Sequence, residues 1–302
     1  MSKISVVINT LNEEKNIERA IRSVKSFADE VLVCDMNSDD NSALLAKKLG
    51  AKVIFTKRLD FVEPARNFAI SKASGDWILI LDPDEEVPES LLDKLKDFTK
   101  DNSVTTFVEI PRKNLIFGKW VKGSMWWPDN NIRFFKKESI KWSDKIHRPP
   151  QTEGQGITLP MEERYAITHH HYQSISQFLT RLDRYTNVQA REMHKNGEKF
   201  NWTDLISKPL GEFLGRFFAN KGYIDGLHGL VLALLQAFSY LVMYLKLWEL
   251  EGFESKELKL SEVKVVTVDA GKELDYWFKY GNLSKNPLKN FLQRAKNKLP
   301  GS

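Results

Sequence analysis

With one cysteine in 302 residues, no internal disulfide can hold this chain together. Cys34 falls inside an apolar run, where a buried, inert thiol is the ordinary state. The N-terminus lacks a basic stretch followed by a long apolar segment. Met1-Ser2-Lys3 leads straight into strand-forming residues, so the expected compartment is the cytoplasm. No Gly-x-Gly-x-x-Gly follows the first strand pattern and no Gly-Lys-Ser/Thr loop occurs, so neither a dinucleotide nor a P-loop triphosphate is implied. Internal repeats and low-complexity tracts are absent too. Charge of one sign is scarce: 45 basic against 40 acidic residues leave a net +5. That excess is too diffuse for nucleic acid but suits an anionic substrate or an anionic membrane surface.

What the chain does have is strands alternating with helices. Ile4-Ser5-Val6-Val7-Ile8-Asn9 is a β-rich run, followed from Thr10-Leu11-Asn12-Glu13-Glu14 by a helix with Ile17, Ala20, Ile21 and Val24 on one face. Glu30-Val31-Leu32-Val33-Cys34-Asp35 is a second strand, and Met36 to Ser42 is turn chemistry, with Asn41 or Ser42 placed to cap a helix over 43–49. Gly50 stops that helix, Lys52-Val53-Ile54-Phe55 is a short third strand, and Pro64 opens a helix to Ala73. Four such alternations with short connections predict a parallel sheet over residues 1 to about 100.

The fourth strand organises the rest. Trp77-Ile78-Leu79-Ile80-Leu81 is uninterruptedly apolar, as for a strand buried on both faces, and runs directly into Asp82-Pro83-Asp84-Glu85-Glu86. Open α/β sheets place their ligand crevice at the C-terminal strand ends, where Asp35, Asp82 and the Thr10–Glu13 turn all fall. Asp82 and Asp84 can both reach one hard cation, Mg²⁺ or Mn²⁺, whose remaining oxygens come from a substrate phosphate. The plain alternative is a solvated acidic turn before a helix.

Beyond residue 100 the pattern predicts strands at Val104 to Pro111 and Ile132 to Phe135, with a loop between them holding Gly118, Trp120, Gly123, Trp126 and Trp127. Ser174 and Gln177 form a capping-box pattern for a helix to about His194, and a further helix pattern follows Pro209. Asp225 is placed to cap a segment without charge from 226 to 245, long enough to span a bilayer but diluted by His228, Gln236, Ser239 and two glycines. Flanking Arg216, Lys221, Lys246 and Trp248, with a basic tail from Lys285 to Lys298, favour an interfacial helix on anionic lipid. A buried core helix, a dimer contact with a second copy, and a true span are the alternatives.

In their order these motifs resemble the inverting family 2 glycosyltransferases of the GT-A fold. The residues that carry the resemblance are Asn9-Thr10-Leu11-Asn12-Glu13-Glu14, Val33-Cys34-Asp35-Met36-Asn37-Ser38-Asp39-Asp40, Ala65-Arg66-Asn67-Phe68-Ala69 and Gly75-Asp76 through Glu85. Met125-Trp126-Trp127-Pro128-Asp129 with Ile132-Arg133-Phe134-Phe135, then His169-His170-His171-Tyr172, is similar to the branch of lipopolysaccharide-core glucosyltransferases. The resemblance implies a Rossmann-like, mostly parallel sheet flanked by helices, as a domain over 1–190, with a helical and membrane-leaning region over 191–302. It implies a nucleotide-sugar donor held by Thr10, Asn12, Glu13, Asp35, Asp40, Arg66 and Asp82, and a cation on Asp82, Asp84 and His169. Trp126, Trp127 and Arg133 would meet a glycan or lipid-linked acceptor. Where this branch commonly has a His-Glu pair, His147 is followed by Arg148, which accepts no proton. Asp129 is then the nearest candidate base, with Asp144 and His147 behind it. Rival readings are transfer onto a polyisoprenyl phosphate, a nucleotidyltransferase, and a degenerate nucleotide-binding scaffold.

Overall fold

In a computed structural model the chain is described at residues 2–58, 62–100, 104–142 and 150–280. Asp144, His147, Arg148 and the basic tail lie outside the described residues. The first half runs β1 (Ile4–Thr10), α1 (Ile17–Val24), β2 (Glu30–Asp35), α2 (Ser42–Lys48), β3 (Lys52–Phe55), α3 (Glu63–Lys72), β4 (Trp77–Leu81), β5 (Glu85–Glu86) and α4 (Glu89–Phe98). Strands β6 (Thr105–Ile110), β7 (Arg112–Ile116), β8 (Lys119–Trp120), β9 (Asn131–Lys136), β10 (Ile140–Lys141), β11 (Gln151–Thr152), β12 (Gln155–Thr158) and β13 (Ile167–Tyr172) follow. Helices α5 (Ile175–Lys195), α6 (Asp204–Leu214), α7 (Leu227–Leu250) and α8 (Leu260–Tyr280) complete the chain.

A seven-stranded sheet in the order β12-β6-β9-β4-β1-β2-β3 carries the core. β1 pairs in parallel with β2 and β4, and β2 with β3, while β9 inserts antiparallel between β4 and β6. The expected α/β class, a mostly parallel sheet with helices on both faces as in the GT-A arrangement, is what forms. Alternation assigns the two layers. Val6, Ile8, Leu79 and Leu81 pack with Ile17, Ile21 and Val24 of α1 and with Leu91 and Leu95 of α4. Val7, Leu32, Ile78 and Ile80 pack with Ala69, Ile70 and Ala73 on the α3 side. Trp77 stacks on Phe134 at 4.7 Å, fastening β9 to β4.

Two compact units emerge: Met1–Trp120 with Trp126–His171, and Val121–Met125 with Tyr172–Ser302. Within the second unit α5 packs on α7. Three local expectations change. Asp225 does not cap α7, whose first turn follows Gly226; its carboxylate instead accepts from the backbone N–H of Lys122 and Gly123 at 3.0 and 2.6 Å. The segment 121–125 is thus tied down by a buried charge. The helix expected after Pro209 begins at Asp204 and contains the proline. Asn41 stands at the N-cap of α2 but its side chain makes no capping bond, and Ser42 is the first helical residue, its Oγ engaged by Asp40 and by the N–H of Glu13.

Candidate active site

Register brings the acidic strand ends together. Thr10 pairs with Asp35 across β1 and β2, and Ile8 pairs with Leu81, so Asp82 emerges beside Asn9. Several buried polar atoms at this edge have no hydrogen-bond partner among the described residues: both ends of the Asn9 amide, Thr10 Oγ1 and Asp35 Oδ2. Buried polar groups are rarely left unsatisfied, so such a cluster points to a ligand with donors and acceptors of its own. Asp35 Oδ1 already accepts from Ser38 N–H at 2.7 Å, which aims the carboxylate.

The neighbouring loops are built from the other polar residues of the motifs. Asn12, in a left-handed conformation at φ 58°, accepts from Asp39 N–H through its side chain and donates its own N–H to Ser38 Oγ. Glu13 accepts from the Asn16 amide at 2.7 Å. Asp40 accepts from Glu14 N–H, Ser42 N–H and Ser42 Oγ. Burial acts to raise its carboxyl, but the Ser42 and Glu14 bonds outweigh that and hold it below the usual range. Asp40 is therefore a strut between two loops.

Asp82 is equally engaged. Oδ1 meets Arg66 at 3.0 Å and Oδ2 meets Arg133 at 2.7 Å. Burial works to raise the Asp82 carboxyl; the Arg133 and Arg66 guanidinium groups overcome it and hold it far below the ordinary range. Arg133, only 4% exposed, also bonds Glu85 at 2.6 Å, and Glu85 is fully buried. So buried an arginine holds the carboxylate cluster together; it is not laid open to an acceptor. Arg66 is further shaped by Trp142, whose ring lies 5.9 Å from the guanidinium. Arg66 Nε, and the buried Nε and Nη1 of Arg133, have no partner among the described residues.

Asp84 turns the other way. β5 pairs with β13, setting His169 opposite Glu85, and His169 Nε2 comes 3.4 Å from Asp84 Oδ2, both residues being buried. The histidine's other nitrogen, Nδ1, lies 2.6 Å from Asn114 Oδ1. Asn114 is itself oriented, since its amide donates to Trp126 O and to Asp129 Oδ2, both at 2.8 Å. Its oxygen must therefore face the imidazole, so Nδ1 carries the hydrogen of that bond and Nε2 is the nitrogen left facing the Asp84 carboxylate. A proton on Nε2 or a metal cation can join the two groups. A carboxylate oxygen and an imidazole nitrogen, with the imidazole's far N–H fixed by an amide, are a fitting donor set for Mn²⁺ or Mg²⁺ completed by phosphate oxygens. Among the described residues no three His, Cys, Asp or Glu side chains gather as a self-sufficient metal centre. Asp82, paired to two arginines, stands beside this pair.

Asp129 sits deep in the network. Arg112 Nε and Nη2 both reach its Oδ2 at 2.8 Å, and Asn131 Nδ2 lies 3.3 Å from Oδ1. Burial alone would raise it, but Arg112 and Asn114 keep the carboxyl below its usual range, which makes it a weak proton acceptor. Trp126 meets His171 edge-on at 5.3 Å and His171 stacks on His169 at 4.4 Å, so an aromatic path leads from the candidate cation pair to the loop expected to meet the acceptor. Trp127 packs edge-on to Trp120 at 5.0 Å. His170 points away to Glu86, its pKa lowered by burial and then by Arg19.

Reading the sequence passed over Asn9, Glu85, Arg112 and Asn114. Asn9 had a signal, a polar residue ending an otherwise apolar strand. Glu85 had one too, the third acid after a buried strand. Arg112 and Asn114 alternate on a short strand that nothing in the local sequence links to residues 129 or 169.

Residues 5–152 match the family described as glycosyl transferase family 2. Over 261 residues the chain is 32% identical to an uncharacterized glycosyltransferase of Rickettsia typhi, covering 83% of this chain and 88% of that one. The lipopolysaccharide core biosynthesis glycosyltransferase LpsC of Rhizobium meliloti is 22% identical over 252 residues, covering 78% of this chain and 90% of LpsC. Among solved structures, glucosyl-3-phosphoglycerate synthase from Mycobacterium tuberculosis with Mn²⁺ and uridine-diphosphate-glucose aligns at a TM-score of 0.42 and 18% identity, over 65% of this chain and 80% of its own. The same enzyme with phosphoglyceric acid aligns at 0.36 and 21% identity over 45% of this chain, which spans 57% of that one. On its motifs, its sheet and its near full-length relatives, the chain belongs to glycosyl transferase family 2 and is a glycosyltransferase.

Proposed function

We propose that the enzyme moves a sugar, with inversion, from a uridine-diphosphate sugar to a hydroxyl of a glycan or lipid-linked acceptor, with a divalent cation at Asp84 and His169. The observation that carries this reading is the buried Asp84–His169 pair, with Nε2 held 3.4 Å from a carboxylate oxygen. Asn9, Thr10 and Asp35 supply the unsatisfied buried polar atoms that a base and ribose would satisfy. The bound cation supplies charge to the departing diphosphate. Arg66 keeps an unpartnered Nε beside Asp82, a second positive group for the same phosphates. Trp126 and Trp127 offer flat apolar faces on which an acceptor sugar can stack. Calorimetry with UDP tests the reading: binding that needs Mn²⁺ and disappears with chelator supports it, and equal affinity with and without the ion sinks it.

Asn114→Leu removes the acceptor for His169 Nδ1–H together with the amide's donations to Trp126 O and Asp129 Oδ2. Mn²⁺ affinity, read by its paramagnetic signal, is expected to fall by about 10- to 100-fold, the usual loss when a ligating histidine's outer partner is removed. Unchanged Mn²⁺ binding would show that the Asn114 bond does not set the imidazole.

The Asp129 ion pair favours a second acceptor chemistry, a polyisoprenyl phosphate whose oxygen arrives already anionic and needs no base. Asp129→Asn separates the two. A general base lost costs about 10²-fold or more in turnover; the tie to Arg112 predicts instead a turnover within about tenfold of the parent with a lowered melting temperature. Transfer assays beside thermal melts read both quantities.

A further inference from the structure

The helix α7 has two opposite apolar faces and only one of them is covered. Gly229, Leu232, Ala233, Tyr244 and Leu247 are buried, with α5 and α6 packed along the helix. On the far side Leu227, Leu234, Phe238 and Leu245 are exposed, Leu227 at 73%. At about 100° per residue those four fall within about 20° of a single line, roughly 180° from the centre of the buried face. An outward helix face ordinarily carries charge; residues 226–245 contain none. Ile224, in the turn before the helix, is also exposed, at 55%.

Charge indicates what covers it. Residues 281–302 hold Lys285, Lys289, Arg294, Lys296 and Lys298 without one Asp or Glu, an excess equal to the whole chain's net +5. A second copy of the chain would offer a matching apolar strip but the same surplus of cations. An anionic bilayer offers acyl chains and negative headgroups together. We propose that α7 lies in the plane of an anionic membrane surface, with the Leu227–Leu234–Phe238–Leu245 line turned into the headgroup and acyl boundary. It lies on the bilayer rather than crossing it, because α5, packed along α7, exposes Asp183, Arg184, Arg191 and Glu192. Lys246 Nζ is bound to the Asp183 carboxylate at 2.7 Å and to Thr186 Oγ1 at 2.9 Å, so the two helices are pinned together. A crossing would carry those charges into hydrocarbon.

The test uses the full chain and vesicles of phosphatidylglycerol with phosphatidylcholine, against phosphatidylcholine alone. The protein is expected to sediment with the anionic vesicles and to be partly released by high salt. The double variant Leu234→Glu, Phe238→Glu, confined to exposed positions, should lose binding by at least tenfold while its circular dichroism and melting temperature match the parent. A parent that stays in the supernatant with both vesicles overturns the proposal, as does a variant that sediments like the parent. If the parent ignores vesicles and light scattering shows a dimer that the double variant dissolves, the strip belongs to a second copy. Resistance to alkaline carbonate extraction from cell membranes would make α7 a span and overturn the interfacial placement.

Discussion

Asp84→Ala is expected to lower sugar transfer by about 10²- to 10³-fold, the scale of one preorganised electrostatic contact removed from a transition state. The carboxylate is buried and faces His169 Nε2 at 3.4 Å, so alanine leaves the imidazole as the sole member of the donor pair. The loss should be selective. Thr10 and Asp35 lie on β1 and β2 and Arg66 on α3, so the fold of that edge should hardly change while the Mn²⁺-dependent binding of UDP disappears. Asp84→Asn is the sharper variant, since it keeps the size and removes the charge. Turnover within a few-fold of the parent in both variants would remove the cation from this site and with it the central claim of the proposed chemistry.

The second large effect is on stability. Among the described residues, Arg133→Met leaves Glu85, fully buried, with the Arg112 guanidinium at 3.3 Å and the Asp82 N–H at 2.9 Å, and leaves the Asp82 carboxylate with Arg66 as its paired cation. Removing one partner of a buried ion pair costs about 3–5 kcal/mol, a fall of roughly 10 °C in melting temperature for a chain of this size. Glu85→Met in the same background removes the stranded carboxylate and should restore a good part of that loss, because a well-packed apolar replacement of a buried pair is often neutral. Acid narrows the gap between parent and Arg133→Met. The Asp82 carboxyl titrates far below the usual range in the folded state, so its contribution is complete above the unfolded value of about 3.9 and is lost as pH falls toward the folded one. Urea unfolding at pH 7 and near pH 3 measures both effects. No recovery in the double variant would mean that Arg133 stabilises through packing, not by pairing charge.

The first four strands were legible because each is an apolar run bounded by turn residues, and the carboxylates that matter sit where those runs stop. Asp35, Asp82 and Asp84 could therefore be placed at one sheet edge from spacing alone. Their partners could not. Arg133 reaches Asp82 only because β9 inserts antiparallel beside β4, a pairing across about 50 residues that local pattern does not encode. Asn114 serves His169 through a small second sheet, β5-β13-β7-β8, whose strands are too short and too polar to read as strands. Asp40 and Asp129 show the same limit: a carboxylate in a motif looks free until the donors that fold around it are known. The strip on α7 is the opposite case, since the lack of charge was plain in the sequence but which face stays uncovered was not.

The lone thiol turns into an instrument. Cys34 is buried in β2 at the register position paired with Asn9, and burial followed by the Asp35 charge pushes its pKa up to about 11. A thiol in that state reacts with a maleimide or disulfide reagent only while β2 is pulled from its neighbours, so its modification rate clocks the opening of the central strands. Because the protein has no other cysteine, that clock runs without interference. Ligands that bridge β1 and β2 must slow it by the factor they stabilise the closed sheet. The same silence at the surface means that a cysteine introduced on α7 can carry a fluorescent or spin probe without first stripping the native thiol.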